Sequence, residues 1–151
     1  MKKSVKIYLG ADHAGFALKE KLETYFSKNK IDYENMGGEG KKEDDYPDYA
    51  FAVAKRVLKD KNSLGILICG TGTGMVIAAN KVKGIKAAVA YDEYSAKMAK
   101  KHNNINIVCL RGRKFPDTEN LRLVQILLKE SFSGKKRHKR RLKKIEKFEG
   151  K

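Results

Sequence analysis

Cysteine, acidic charge and long apolar runs are all scarce in this 151-residue chain, and each scarcity removes a class of protein. The two cysteines, Cys69 and Cys109, stand forty positions apart, each closing an apolar, strand-like run. That is neither the disulfide framework of a small secreted domain nor the clustered spacing of a zinc site, so free thiols in a reducing compartment are expected. No run approaches the roughly 18 apolar residues of a membrane helix. Met1-Lys2-Lys3 has the charge of a signal-peptide start, but Lys6 and Asp12 break up the apolar segment that a signal peptide needs next. A soluble, cytoplasmic protein is expected. Acids number 18 against 34 lysines and arginines, a net charge of +16. Half of that excess lies between Lys135 and Lys147, which hold nine basic residues and one acid. A lysine-rich solvated surface accounts for the other half.

What is present alternates. Val5 to Leu9 reads as a strand ending at Gly10, and Phe16, Leu18, Leu22, Tyr25 and Phe26 fall on one face of a helix. Asp32 to Met36 is a second strand. Asp48 is a candidate N-cap for a helix from Tyr49 to about Leu58. Leu64 to Ile68 is a third strand, followed by a glycine turn and a helix through Asn80. Lys86 to Ala90 is the fourth strand, Glu93 to Lys101 a helix, Ile105 to Cys109 the fifth strand and Thr118 to Phe132 a longer helix. The expected architecture is α/β: a single-domain, doubly wound, Rossmann-like three-layer sandwich spanning 1–151. It has a five-stranded parallel sheet and an extended basic C-terminal helix over about 135–148. In such folds ligands bind at the carboxyl ends of the strands, where Asp12-His13, Cys69 to Gly74 and Tyr91-Asp92 fall.

The turn Cys69-Gly70-Thr71-Gly72-Thr73-Gly74 matches neither nucleotide motif it superficially resembles. Met75 stands where the Rossmann fingerprint needs its third glycine, and no Gly-Lys-Ser/Thr follows as in a P-loop. What remains is a backbone N–H nest at a helix N-terminus, suited to a phosphate or a developing oxyanion. The same positive field favours thiolate over thiol, so Cys69 is a candidate nucleophile or base. A small core residue closing the strand is the other reading, and position alone leaves both open. Of the three histidines, His13 and His102 are expected near the sheet edge that carries Cys69, and His138 lies in the basic tail. Arg113, Arg137 and Arg141 supply planar cations for phosphate, the last two on one helix face. Cys109 has no glycine nest and reads as core. Arg111 matches no role, and a surface or interface position is its default.

Nine stretches together carry a family resemblance. They are Gly10-Ala11-Asp12-His13-Ala14-Gly15-Phe16, Asp45-Tyr46-Pro47-Asp48, Ile68 to Gly74, Ile77-Ala78-Ala79-Asn80-Lys81, Gly84-Ile85-Lys86-Ala87, Tyr94-Ser95-Ala96, His102-Asn103-Asn104, Gly112-Arg113 and Arg137-His138-Lys139-Arg140-Arg141. From about residue 5 to 145 the chain resembles the B-type ribose-5-phosphate isomerases, a family that includes the galactose-6-phosphate isomerase subunits. The resemblance implies interconversion of ribose 5-phosphate and ribulose 5-phosphate through a cis-enediolate, in the non-oxidative pentose phosphate branch, with no metal or other cofactor. It implies Cys69 as the base between C2 and C1. The N–H groups of Gly70, Thr71, Gly72, Thr73 and Gly74, with the Thr71 hydroxyl, would hold the enediolate oxygen. His102 would open the furanose ring with Asp12 assisting. His13, Arg113, Arg137 and Arg141 would bind phosphate, and Tyr46 and Asn103 would face the sugar. It also implies a homodimer, or a dimer of dimers, whose sites are shared between subunits and whose C-terminal helix crosses the interface. Some members carry serine or threonine at the Cys69 position and a glutamate six residues on; Met75 stands there here, leaving Cys69 the only base in the loop.

Two other functions compete with this one. A six-carbon sugar phosphate, galactose or allose 6-phosphate, is the nearest, although Cys69, Thr71, His102 and the arginines all occur in this one chain. A nucleic-acid-binding protein using Lys135 to Lys147 would leave the glycine turn, Asp12-His13 and His102-Asn103 without a role.

Overall fold

The computed structural model describes residues 4–40 and 42–150; Met1 to Lys3, with their signal-like charge, lie outside the described residues. Eleven elements alternate along them: β1 Lys6–Ala11, α1 Phe16–Lys28, β2 Tyr33–Asn35, α2 Tyr46–Lys59, β3 Ser63–Cys69, α3 Thr73–Asn80, β4 Ala87–Val89, α4 Glu93–Asn103, β5 Ile107–Arg111, α5 Asp117–Lys129 and α6 Lys136–Glu149. The strands form one parallel sheet in the order β2-β1-β3-β5-β4. Every expected element is present.

The sheet is covered because its central strands are apolar on both faces. Ile7 and Leu9, Leu64, Ile66 and Ile68, and Val108 and Leu110 face α1, α4 and α5, where Leu22, Phe26, Ala96 and Leu123 pack on them. Tyr8, Leu67, Cys69, Ile107 and Cys109 take the other parity and meet Val53, Ala54, Met75 and Ala79 of α2 and α3. A period of two along each strand thus divides the chain into three layers. Fully burying each of the larger aliphatic side chains contributes about 1.5–3 kcal/mol.

Boundaries differ at two places that matter for the site. Helix α2 begins at Tyr46, not Tyr49, and its N-cap is Asp45, not Asp48. Pro47 is the reason: its fixed φ and missing N–H suit a first helical turn, where no intrahelical acceptor is needed. Strand β5 runs to Arg111, two residues beyond the expected end, because Ile68↔Leu110 and Cys69↔Arg111 continue the ladder to the end of β3. Helix α4 starts from a capping box, Ser95 N–H donating to the Asp92 carboxylate at 2.6 Å and Asp92 N–H to Ser95 Oγ at 3.1 Å.

Strand order reverses between β1 and β3, since β2 lies outside β1 while the chain continues on the opposite side. The carboxyl ends of β1 and β3 therefore border the crevice where open α/β sheets bind ligands.

Candidate active site

Three loops converge at that crevice through close backbone approaches. Asp12 N–H donates to the Ile68 carbonyl at 3.1 Å, extending the β1–β3 ladder past its last pair and placing Asp12 beside Cys69. Gly112 N–H donates to Cys69 O at 2.8 Å and Arg113 N–H to Gly70 O at 3.1 Å, doing the same for β5. A Cβ on Gly15 would lie 2.5 Å from the Ile68 carbonyl oxygen and one on Gly112 would lie 2.3 Å from that of Ala14, so side chains are excluded where these loops touch.

Cys69 is the last residue of β3 and 5 % exposed. Gly72 is left-handed at φ 83°, which turns the chain into α3 and aims its N–H at Cys69 Sγ, 3.2 Å away. The sulfur thus receives a backbone donor at the amino-terminal start of α3. Thr73 N–H is turned onto Thr71 Oγ1 at 3.3 Å. Of the five N–H groups expected to face an oxyanion, those of Gly72 and Thr73 thus have partners inside the turn. First-turn N–H groups such as that of Gly74 have no intrahelical acceptor and remain for a ligand. Tyr46 lies over this helix start; a Cβ on Gly74 would sit 2.6 Å from its ring Cζ. The Arg113 side chain lies over Gly70, with Nη1 3.6 Å from where a Cβ would be.

Asp12 is buried, and its Oδ1 accepts from Ala14 N–H at 3.0 Å and Gly15 N–H at 3.1 Å. Burial pushes its carboxyl above the usual range, and the two amides and His13 counter this only partly. His13 is held by Asp44, a residue that belongs to none of the motifs read from the sequence. Asp44 Oδ1 accepts from His13 N–H at 2.8 Å and lies 3.1 Å from His13 Nδ1, while Oδ2 accepts from Tyr49 OH at 2.8 Å. Burial alone would raise the Asp44 carboxyl, but the His13 and Tyr49 donors hold it below its usual range; in return the bond to the Asp44 carboxylate, helped by burial, pushes Tyr49 up to about 12. Only its place in an acidic run before Tyr46-Pro47 marks Asp44 in the sequence. Ligand atoms of Asp12, His13 and Asp44 lie within 4.8 Å of one another, close enough to share a cation, yet the carboxylate atoms already accept hydrogen bonds from Ala14, Gly15, His13 and Tyr49.

Cys109, by contrast, is fully enclosed, and burial pushes its thiol strongly upward, as befits a core residue. Arg111 is not at the surface: it is half-buried, register-paired with Cys69, its guanidinium 3.9 Å over the Phe115 ring, and its Nε has no hydrogen-bond partner among the described residues.

The remaining expected residues are elsewhere. Helix α4 runs antiparallel to the strands and delivers His102 and Asn103 to the amino edge of the sheet, where Asn104 and Ser63 border one cavity of about 300 Å³. Cys69 lies six residues along β3 from Ser63, or about 20 Å at 3.3 Å per residue. The expectation that His102 shares an edge with Cys69 is therefore corrected; His13 does and His102 does not. His102 instead stacks on His138 of α6, ring centroids 4.3 Å apart, and His138 Nδ1 lies 2.5 Å from Ser133 Oγ. Burial, His102 and the cations Arg137, Arg141 and Lys135 hold His138 below the usual imidazole range. Arg137 and Arg141 project from α6 into solvent on one face.

The expected site residues thus fall into two groups, one at each edge of the sheet. A family model described as Ribose/Galactose Isomerase matches residues 7–145. The chain is 42 % identical to a probable ribose-5-phosphate isomerase B of Mycoplasma genitalium, over 97 % of both chains, and 35 % identical to ribose-5-phosphate isomerase B of Mycobacterium tuberculosis, over 96 % of this chain and 90 % of that one. Among solved structures, ribose-5-phosphate isomerase B of Mycoplasma genitalium with bound ribulose-5-phosphate is similar at a TM-score of 0.93 and 41 % identity, over 99 % of both chains. The Thermotoga maritima ribose 5-phosphate isomerase is similar at 0.91 and 41 %, over 96 % of this chain and 99 % of that one.

Proposed function

The chain belongs to the ribose/galactose isomerase family, and from that membership we propose that it interconverts ribose 5-phosphate and ribulose 5-phosphate, a step of the non-oxidative pentose phosphate branch in the cytoplasm. The observation that carries the chemistry is Cys69 Sγ at the start of α3, receiving Gly72 N–H, with Asp12 one strand away. Moving a proton between adjacent carbons requires one base and a stabiliser for the oxygen that becomes anionic. Cys69 thiolate removes the proton from C2, the enediolate oxygen is held by N–H groups at the α3 start and by Thr71, and the thiol returns the proton to C1. A positioned base contributes about 10²–10⁴-fold, and preorganised donors in a closed site supply much of the rest. Asp12, whose carboxyl burial pushes above its usual range, assists at O1 or the ring oxygen. His13, fixed by Asp44, and Arg113 receive the phosphate from this side, and Tyr46 covers the sugar.

The other half of the site comes from a second copy. His102 for ring opening and Asn103 for the sugar lie at the amino edge of the sheet, the length of β3 away from Cys69 at the carboxyl edge, and Arg137 and Arg141 for the phosphate lie on α6, which packs on that amino edge through His138. A two-fold dimer brings the amino-edge half-site of one subunit to the carboxyl-edge half-site of its partner, with α6 at the interface. Ile145 and Phe148, 56 % and 83 % exposed on α6, supply apolar area for that contact.

The test is conversion of ribose 5-phosphate without added metal, for the parent, Cys69→Ala and His102→Ala, and for the two variants mixed after separate purification. The reading expects activity in the parent, near-complete loss in each variant, and recovery of about a quarter of parental activity on mixing, since half of random pairs are heterodimers with one intact site. An inactive parent that turns over galactose or allose 6-phosphate would shift the substrate to six carbons. Full activity in Cys69→Ala, or no recovery on mixing, would overturn the base or the shared site.

A further inference from the structure

Helix α6 has three faces, and two are accounted for. His138 and Leu142 are buried against the body, and Glu149 on the same side accepts from Gly84 N–H at 3.0 Å. Rotated from these by about a quarter turn lie Arg137, Arg141, Ile145 and Phe148, the flank assigned above to the substrate and the second copy. The third face holds Lys136, Lys139, Arg140, Lys143, Lys144 and Lys147 at i, i+3, i+4, i+7, i+8 and i+11. All six are exposed, none takes part in an ion pair among the described residues, and the one acid within their span, Glu146, stands at the edge of the stripe beside Lys139. This stripe points away from both the body and the flank, so a dimer formed through that flank leaves it in solvent.

Six like charges on one helix face repel one another and would be relieved by an anion that spans them. From Lys136 to Lys147 is eleven rises of 1.5 Å, about 16 Å, the axial length of about five phosphates along one strand of a duplex at 3.4 Å each. We propose that this face of α6 binds the phosphodiester backbone of nucleic acid, without sequence preference, independently of the isomerase site. No aromatic or amide side chain in the stripe could stack on or read a base, which accounts for the lack of sequence preference. An anionic lipid surface fits less well, because a helix that lies on a membrane carries apolar residues between its cations and this face has none.

The test is fluorescence anisotropy of a labelled 20-base-pair duplex of mixed sequence and of a 20-nucleotide RNA, with the intact protein at 50 and 200 mM salt. Four to five backbone contacts predict a log–log salt slope near −4 on duplex and about a 10²-fold weakening between the two salts. A variant with Lys136, Arg140, Lys143 and Lys147 changed to Gln is expected to lose most of that slope and more than about tenfold in affinity at 50 mM, with ribose 5-phosphate turnover unchanged. A second variant neutralises Lys28, Lys55, Lys59 and Lys97, exposed lysines elsewhere, and removes the same charge; it is expected to keep most of the binding. Equal loss in both would assign binding to net charge and overturn the stripe, as would absence of binding at 50 mM salt. Tighter capture by phosphatidylserine vesicles than by either nucleic acid would overturn the choice of partner.

Discussion

Gly74→Ala separates the position of Tyr46 from the integrity of the glycine turn. The new Cβ would stand 2.6, 2.8 and 2.9 Å from ring Cζ, Cε2 and Cε1 of Tyr46, distances no Cβ tolerates. Gly74 is not among the glycines with positive φ, so alanine meets no backbone strain there, and as a first-turn residue of α3 it gains up to about 0.8–1 kcal/mol of helix propensity. The obstruction is the far end of a side chain already 36 % exposed, whose hydroxyl has no hydrogen-bond partner among the described residues, so the ring swings into solvent at little cost. Stability should therefore change by about 0 to +1 kcal/mol, a Tm unchanged or raised by about 2–4 °C. Activity should fall, because Tyr46 leaves the sugar: the loss of one hydrogen-bonded contact, about 0.5–1.5 kcal/mol, corresponds to about 2- to 12-fold in kcat/KM. Tyr46→Ala should show the same fall, and adding Gly74→Ala to it should cost nothing further. The assays are thermal unfolding and steady-state kinetics on the four proteins of the cycle. Destabilisation beyond about 2 kcal/mol, or multiplied kinetic losses in the double variant, would refute the reasoning by showing that alanine disrupts the turn itself.

The two thiols should part company. Cys109→Ala is expected to retain turnover and lose about 1–2 kcal/mol by leaving a gap in the core, read by chemical denaturation. Iodoacetamide should inactivate the parent with a single alkylation at Cys69, checked by peptide mass. Asp12→Asn is expected to abolish most activity while leaving Tm at pH 7 unchanged or higher. A carboxyl whose pKa is raised on folding contributes stability below its unfolded value near 3.8 and loses it as pH rises through the folded value, so the neutral amide escapes that loss. Asp44→Asn should raise KM for the sugar phosphate by about 3- to 10-fold with a smaller effect on kcat, since His13 loses its anionic anchor. The Asp44 shift has the opposite sign. Its stabilising effect is present above the unfolded value near 3.8 and is lost as pH falls through the lower folded value, so parent and variant should converge in stability in acid titrations below that point.

The layers are legible in the sequence because period-two runs such as Lys6–Ala11 and Ser63–Cys69 have no other use than a strand with two covered faces. The carboxyl-edge half of the site is legible for the same reason: topology fixes where strands end, so Asp12, Cys69 and the glycine turn have to meet. The amino-edge half is not, because nearness of His102 to a helix end says nothing of which edge that end reaches until the direction of α4 is known. Asp44 stays hidden because an acid in a polar loop reads as solvated; its bonds to His13 and Tyr49 arise from three segments that no local pattern connects. The start of α2 is displaced by one turn where Pro47 can be read as a break or as a first-turn residue, and only the helix around it decides between them.

A site shared between copies across the length of the strands would also make activity a property of concentration. On the proposed reading, the thiol at the carboxyl end of β3 and His102 at the amino edge serve one sugar only from different chains, so a lone subunit, however well folded, would have two incomplete edges. Dilution below the point of dissociation would then silence the enzyme without unfolding it. A defective copy, moreover, spoils one site in any pair it joins while sparing the other, so damage at one edge is felt by a neighbour whose own sequence is sound.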